Sequence, residues 1–186
     1  LMGRFSKVYD QLGRNVADNY VNLLGAPVYG DTAEKGKRWV FTDVMGRLVS
    51  MWDNDTRELY LTFDALHRPV STFVKEGSSE TLFNHVVYGD LLPEATALAE
   101  NRKGRVYQIY DQAGVVTLTK VDFRGNTLEA ERRLTREFKQ TANWDMLDGM
   151  SNVSAMETTV SPLLEDQVFT TAAELDALGR PLQVIL

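Results

Sequence analysis

VYDQLGR, residues 8–14, is the pattern on which the chain is built. Aligned on its aspartate, it returns as FTDVMGR (41–47), TFDALHR (62–68), IYDQAGV (109–115), KVDFRGN (120–126) and ELDALGR (174–180). Five of the 14 aspartates have glycine three residues later, where 13 glycines in 186 residues give about one such coincidence by chance. In the sixth version His67 takes the glycine's place. Six copies are too many for a single active site and suit a repeated structural element.

The spacing is that of a tight corner between two strands. Aspartate at the first position of a type I turn accepts hydrogen bonds from the backbone ahead of it, and glycine at the fourth supplies the positive φ that returns the chain to a strand through a bulge. Histidine visits positive φ more readily than most residues, so His67 fits the same place. The flanks read as strands: RELYLTFD (57–64) alternates large and polar residues, and RPVSTFV (68–74) is rich in β-branched and aromatic ones. KRWVFTD with RLVSMWD, GRVYQIYD with VVTLTKVD, and QVFTTAAELD with RPLQVIL repeat the arrangement.

The second strand of one hairpin thus becomes the first of the next, and the fold class predicted is mainly β, an antiparallel meander of successive hairpins. Its corner residues are Tyr9, Asp10, Gly13 and Arg14; Asp43, Gly46 and Arg47; Phe63, Asp64, His67 and Arg68; Tyr110, Asp111 and Gly114; Asp122 and Gly125; and Asp176, Gly179 and Arg180. The aromatics Tyr9, Phe63, Tyr107, Tyr110 and Phe123 are expected to point inward and pack the sheet. Each corner arginine is expected to lay its stem along the sheet and pair with a neighbouring acid.

Successive acids stand 33, 21, 47, 11 and 54 residues apart, so insertions fill the longer gaps. LLPEATALAENRKG (91–104) has the early proline and final glycine of a short helix. The run 128–150 begins as strand, and around 134–141 both strand and helix remain open. Residues 148–167 are small and polar, which predicts a long, mobile surface loop and the strongest break in an otherwise single region spanning 1–186.

Composition narrows the function. Hydrophobic residues make up 44% and charged residues 25%, a globular balance with enough length for one sizeable core. A net charge of −6 argues against nucleic acid as partner. No apolar run approaches the length of a membrane span, and the opening LMGRFSKVYD lacks the pattern of a classical signal peptide. With no cysteine, disulfides, thiolate catalysis and cysteine-type zinc sites are absent together.

Candidate chemistry reads more simply as structure. Asp53 and Asp55 in WDNDTRE (52–58) suggest calcium, but residue 58 is Glu where a calcium loop needs Gly, and residue 64 is Asp where it needs Glu, so a hairpin tip is expected. His67 and His85 lie eighteen residues apart without a third ligand and are read as turn and surface histidines. There is no nucleophile elbow, and GDTAEKGKRW (30–39) lacks phosphate-loop spacing. The sequons NDT (54–56) and NVS (152–154) are read as chance occurrences. No catalytic, cofactor or metal residue is expected.

The tyrosine–aspartate–glycine grammar resembles the RHS or YD-repeat family. GRVYQIYDQAGVVTLTKVDFRGNTLEAERRLTREFKQTANW (104–144) and LLEDQVFTTAAELDALGRPLQVIL (163–186) are similar to the RHS region of the B component of insecticidal toxin complexes. That resemblance implies a β-sheet spiralling into a hollow shell, in which joined B and C components enclose a cytotoxic polypeptide before delivery. It further implies a secreted complex, with the rest of the shell and the enclosed segment as partners. Nothing in the 186 residues resembles the self-cleaving segment or the gating propeller of those proteins, so the chain is read as part of a wall, whose open sheet edges favour self-association. The alternatives are a β module that binds glycans or proteins at a cell surface, and an enzyme with cryptic carboxylate chemistry needing a cleft with two converging carboxylates.

Overall fold

A computed structural model describes residues 5–54 and 56–185. Among them thirteen strands follow one another across an antiparallel meander in chain order. They are β1 (Phe5–Tyr9), β2 (Asn15–Val21), β3 (Pro27–Thr32), β4 (Gly36–Thr42), β5 (Leu48–Asp53), β6 (Arg57–Phe63), β7 (Pro69–Glu76), β8 (Ser79–Tyr88), β9 (Val106–Asp111), β10 (Gly114–Val121), β11 (Thr127–Leu134), β12 (Phe169–Leu175) and β13 (Pro181–Ile185). Two short helices, α1 (Glu94–Ala99) and α2 (Val153–Val160), complete the fold. The mainly β meander predicted from the corners is therefore the fold observed.

The chain divides into two compact units. One comprises Leu1–Arg68 with Thr72–Thr81, and the other Pro69–Ser71 with Leu82–Leu186.

The first unit is a succession of hairpins with little buried apolar volume. Phe73 is its sole buried apolar side chain among the described residues, and Tyr60 stacks on it with ring centroids 5.0 Å apart. Cohesion comes instead from facing side chains across strands, each such pair contributing about 0.2–1 kcal/mol. Tyr20 faces Tyr29, Tyr29 faces Trp39, and Trp39 faces Trp52, so one transverse row of four aromatics crosses β2 to β5.

The second unit has a true core. Leu82, Val87, Tyr110, Val115, Trp144, Leu147, Met156, Val160 and Leu164 are all buried. Residues 141–164 fold over β8–β10 to make it. Trp144 sits edge-on to Tyr110 at 5.4 Å, donates from Nε1 to the Asp111 carbonyl at 3.1 Å, and its backbone amide donates to Leu82 O at 3.2 Å. Asp145 Oδ1 accepts the Leu82 amide at 2.6 Å, so the covering segment is stitched to the strand on which it lies.

This replaces the loop expected at 148–167. Asn152 caps α2 by accepting the Ala155 amide at 2.9 Å, and Val153, Met156 and Val160 bury one face. Pro162 follows within a 3₁₀ turn, Ser161–Leu163, and stops the helix. Three apolar positions among serines and threonines are too sparse a stripe to stand out in sequence, yet they suffice when a sheet face waits beneath them. The expected helix at 91–104 is present as α1, and the open choice at 134–141 resolves to an irregular segment. His85, read as a surface histidine, is 4% exposed in β8, and its Nδ1 lies 3.0 Å from Ser71 Oγ.

Candidate functional site

Five of the six corners are copies of one another in atomic detail. The backbone amides of Asp10, Asp43, Asp64, Asp122 and Asp176 donate to the carbonyl four residues on at 2.9–3.0 Å, and each aspartate carbonyl accepts from the amide three residues on at 2.9–3.0 Å. That third residue has φ of 75°, 78°, 58°, 97° and 78° at Gly13, Gly46, His67, Gly125 and Gly179. Each Oδ1 accepts the amide two residues on at 2.8–2.9 Å. It also accepts the amide four residues on at 2.8–3.0 Å. One carboxylate oxygen thus holds both halves of the turn.

The other oxygen meets the arginine. Nε of Arg14, Arg47, Arg68 and Arg180 donates to Oδ2 of its own corner aspartate at 2.7 Å, and Asn126 Nδ2 does the same to Asp122 at 2.8 Å. These bonds hold the carboxylates below the usual range. At Asp10, Asp43 and Asp176 the amide of the arginine is the largest cause, followed by its side chain. At Asp64 and Asp122 partial burial is the largest influence and pushes upward, but the combined hydrogen bonds outweigh it.

The sixth corner is different. Asp111 pairs directly with Gly114 across a two-residue loop, Gln112–Ala113, and Arg132 reaches the Asp111 carboxylate at 2.6 Å. Gln112 is drawn away to the carbonyls of Phe83 and Ala142 at 2.7 and 3.0 Å, which ties this loop to the covering segment. Gly114, expected to be a turn glycine, has φ of 136° and is needed for close approach: a Cβ there would stand 2.0 Å from Arg133 O. Conversely, one corner went unread. Asn22 reproduces the backbone and Oδ1 pattern, accepting Leu24 and Ala26 amides at 2.9 and 3.0 Å with Gly25 at φ 83°, but Ala26 supplies no side-chain donor. A search indexed on the side-chain amide as well as the acid finds it.

The aromatics also divide. Tyr110 is buried as expected, and Phe63 lies under the Arg47 guanidinium at 5.2 Å. Tyr107 lies under Arg102 at 5.3 Å. Tyr9 and Phe123, expected inward, are 57% and 75% exposed: Tyr9 ends the first strand of the meander, and Phe123 lies in the turn between β10 and β11. Asp55 lies outside the described residues, while the Asp53 Oδ1 of the same tip accepts the Arg57 amide at 3.1 Å, as a hairpin end does. Among the described residues no cluster of three metal-ligating side chains occurs.

Some corners on the same edge are linked by guanidinium groups. Alternate hairpins of a meander share an edge, so in the first unit the corners at 22–26, 43–47 and 64–68 fall together, and in the second the connection 89–105 and the corners at 122–126 and 176–180. Arg47 Nη1 donates to His67 O at 2.5 Å, and Arg124 Nη1 to Ala177 O at 2.6 Å. Arg105 donates to Arg124 O and Phe123 O at 2.9 and 3.2 Å, its guanidinium filling the space that a Cβ on Gly125 would occupy. Sequence reasoning passed over Arg105 because it belongs to no corner.

An antiparallel meander with a repeated corner and arginine-laced edge has close structural counterparts. A crystal structure of TcdB2–TccC3 matches 97% of this chain with a TM-score of 0.74 at 19% identity, over 9% of that chain. The chain shares the fold of that part of TcdB2–TccC3. A Photorhabdus luminescens Tc holotoxin pore matches equally, with a TM-score of 0.74 and 20% identity over 97% of this chain and 9% of that one. In sequence, Toxin subunit YenC2 of Yersinia entomophaga is 28% identical over 183 residues, 88% of this chain and 18% of the relative. No family model matches. The RHS-like chain is therefore similar to toxin-complex subunits and spans a small share of their length. The likeness of 104–144 and 163–186 to a B component is thus supported at the level of the toxin complex.

Proposed function

We propose that this RHS-like chain is a non-catalytic wall segment of a shell that encloses a toxin polypeptide before delivery from a secreted complex. The carrying observation is that the repeated acids and arginines hydrogen-bond their own turns, and that guanidinium groups reach from one corner to the next, as in a structural repeat. Likeness to TcdB2–TccC3 across 97% of the chain supports the same reading. Its partners are the remaining shell, met at sheet edges, and the enclosed segment. The test is limited proteolysis of the product of the complete open reading frame, co-expressed with its neighbouring subunits. A polypeptide segment should resist trypsin until the wall is loosened by Gly114→Val. A reading frame without further strand-and-corner repeats, or a segment cut equally fast in both proteins, overturns the proposal.

The second reading, a glycan-binding β module, is favoured by the aromatic row in the first unit. Ring centroids of Tyr20, Tyr29 and Trp39 follow at 5.5 and 5.4 Å, and Tyr20, Trp39 and Trp52 are 45%, 41% and 37% exposed. Such a strip offers stacking faces for pyranose rings. Binding on a glycan array that Trp39→Ala abolishes and Gly46→Ala leaves intact selects this reading; an array without signal removes it.

A further inference from the structure

A cleft of about 570 Å³ opens in the second unit between α2 and the sheet face it covers. Its floor is made by residues that register places side by side: Gln108 opposite Thr117, Thr117 opposite Glu131, and Val115 opposite Arg133. Its wall carries Glu157 and Val160 of α2. The deepest polar groups are already tied. Buried Tyr110 donates to Gln108 Oε1 at 3.0 Å, and Gln108 Nε2 donates to Glu157 Oε1 at 2.7 Å.

Two opposite charges above them are not tied to each other. The Glu131 carboxylate makes no hydrogen bond or ion pair among the described residues. Arg133 stands two residues along the same strand face, yet its Nε is directed to Glu165 O at 3.1 Å and its terminal nitrogens have no partner among the described residues. Both side chains are half-buried. Adjacent opposite charges in a partly dry cleft gain by closing on each other, unless something between them satisfies both. Tyr107 lines the same cleft, and its hydroxyl is held protonated above the usual range by burial first and then by the field of Glu157, with Glu131 adding to it. It is available as a neutral donor and as an apolar wall.

We propose that this cleft binds a small zwitterion of the α-amino-acid type, its ammonium on Glu131 and its carboxylate on Arg133. Val115 and Val160 then contact the side chain, which favours an apolar one. The site is separate from the corners and independent of the shell reading.

The test is an NMR titration of the ¹⁵N-labelled chain with L-leucine, L-leucinamide and N-acetyl-L-leucine. Leucine should shift amides of β9–β11 and α2, while the amide, which lacks the carboxylate, and the acetyl compound, which lacks the ammonium, should each bind about tenfold more weakly or worse, the loss of one charged contact. Glu131→Gln should abolish the preference for leucine over N-acetyl-leucine, and Arg133→Gln the preference over leucinamide, with both spectra otherwise retaining the parent dispersion. Equal shifts from all three compounds, no shifts in the folded chain, or unchanged preferences in the variants overturn the proposal.

Discussion

Arg124, within the corner at 122–126, donates to the carbonyl oxygen of Ala177 across 53 residues of sequence, so one corner's side chain completes the next corner's backbone. Because Arg124 also gives its backbone amide to Asp122, its own turn survives loss of the side chain. Arg124→Ala should therefore leave 122–126 intact and speed amide exchange at 176–180 by about tenfold, the weight of one charge-assisted bond at an exposed site. Hydrogen-exchange mass spectrometry reads both peptides at once. Equal exchange at 176–180 in the two proteins would show that the link carries no energy.

The corner aspartate acts through its oxygen positions more than through its charge, as Asn22 shows by building the same turn. Asp64→Ala removes two backbone acceptor bonds and the Arg68 pair, and should lower stability by about 1–2 kcal/mol. Asp64→Asn keeps the Oδ1 bonds and should lose less than half as much. Charge shows in pH dependence instead. The five corner carboxylates titrate lower in the fold than their ordinary value of 3.8, so their stabilisation is complete above that pH and drains away as pH falls through the folded values. Denaturant midpoints between pH 5 and 2 should fall less steeply for Asp64→Asn than for the parent, and parallel curves would remove the carboxylate from the account.

Glycines that look identical in sequence should differ in cost. Gly46 has φ of 78° with open space around a would-be Cβ, so Gly46→Ala meets only the left-handed backbone penalty, about 1–2 kcal/mol. At Gly114 the Cβ would collide with the Arg133 carbonyl at 2.0 Å, a backbone atom that cannot swing aside. Gly114→Ala should cost about 3 kcal/mol or more, since two paired strands must part. Thermal melts of the two variants decide it, and a Gly46 variant as damaged as the Gly114 one contradicts the distinction.

These contrasts mark what sequence carries and what it does not. Turn chemistry is local: Asp10 to Arg14 contains every atom of its corner, so spacing alone reveals the hairpin and, by repetition, the meander. Gly114 has the positive φ expected at its corner, but its close approach to Arg133 depends on a strand reached only after folding and is not written in its neighbourhood. The covering segment escaped for the same reason, since Val153, Met156 and Val160 form a stripe only against β8–β10. The cleft was illegible because Glu131 and Glu157 belong to distant segments, and nothing in either's neighbourhood announces the other.

His85 gives the second unit a response to mild acid. Its ring is 4% exposed in β8, with Ser71 Oγ at 3.0 Å from Nδ1 and the Tyr110 ring 6.3 Å away. Burial is the main cause that lowers its pKa below 6.5, and the charge of Asp148 opposes that only in part. In the unfolded chain the imidazole takes up its proton near 6.5, while in the fold it resists until lower pH. Stability is therefore full above about 6.5 and is lost as pH falls through the folded value. Urea unfolding at steps from pH 7.5 to 5 should show the midpoint dropping across that window, well above the range in which the corner aspartates titrate. His85→Gln keeps a polar partner for Ser71 without a titrating ring and should flatten the drop. A parent and variant that decline together would assign the acid response to some other group.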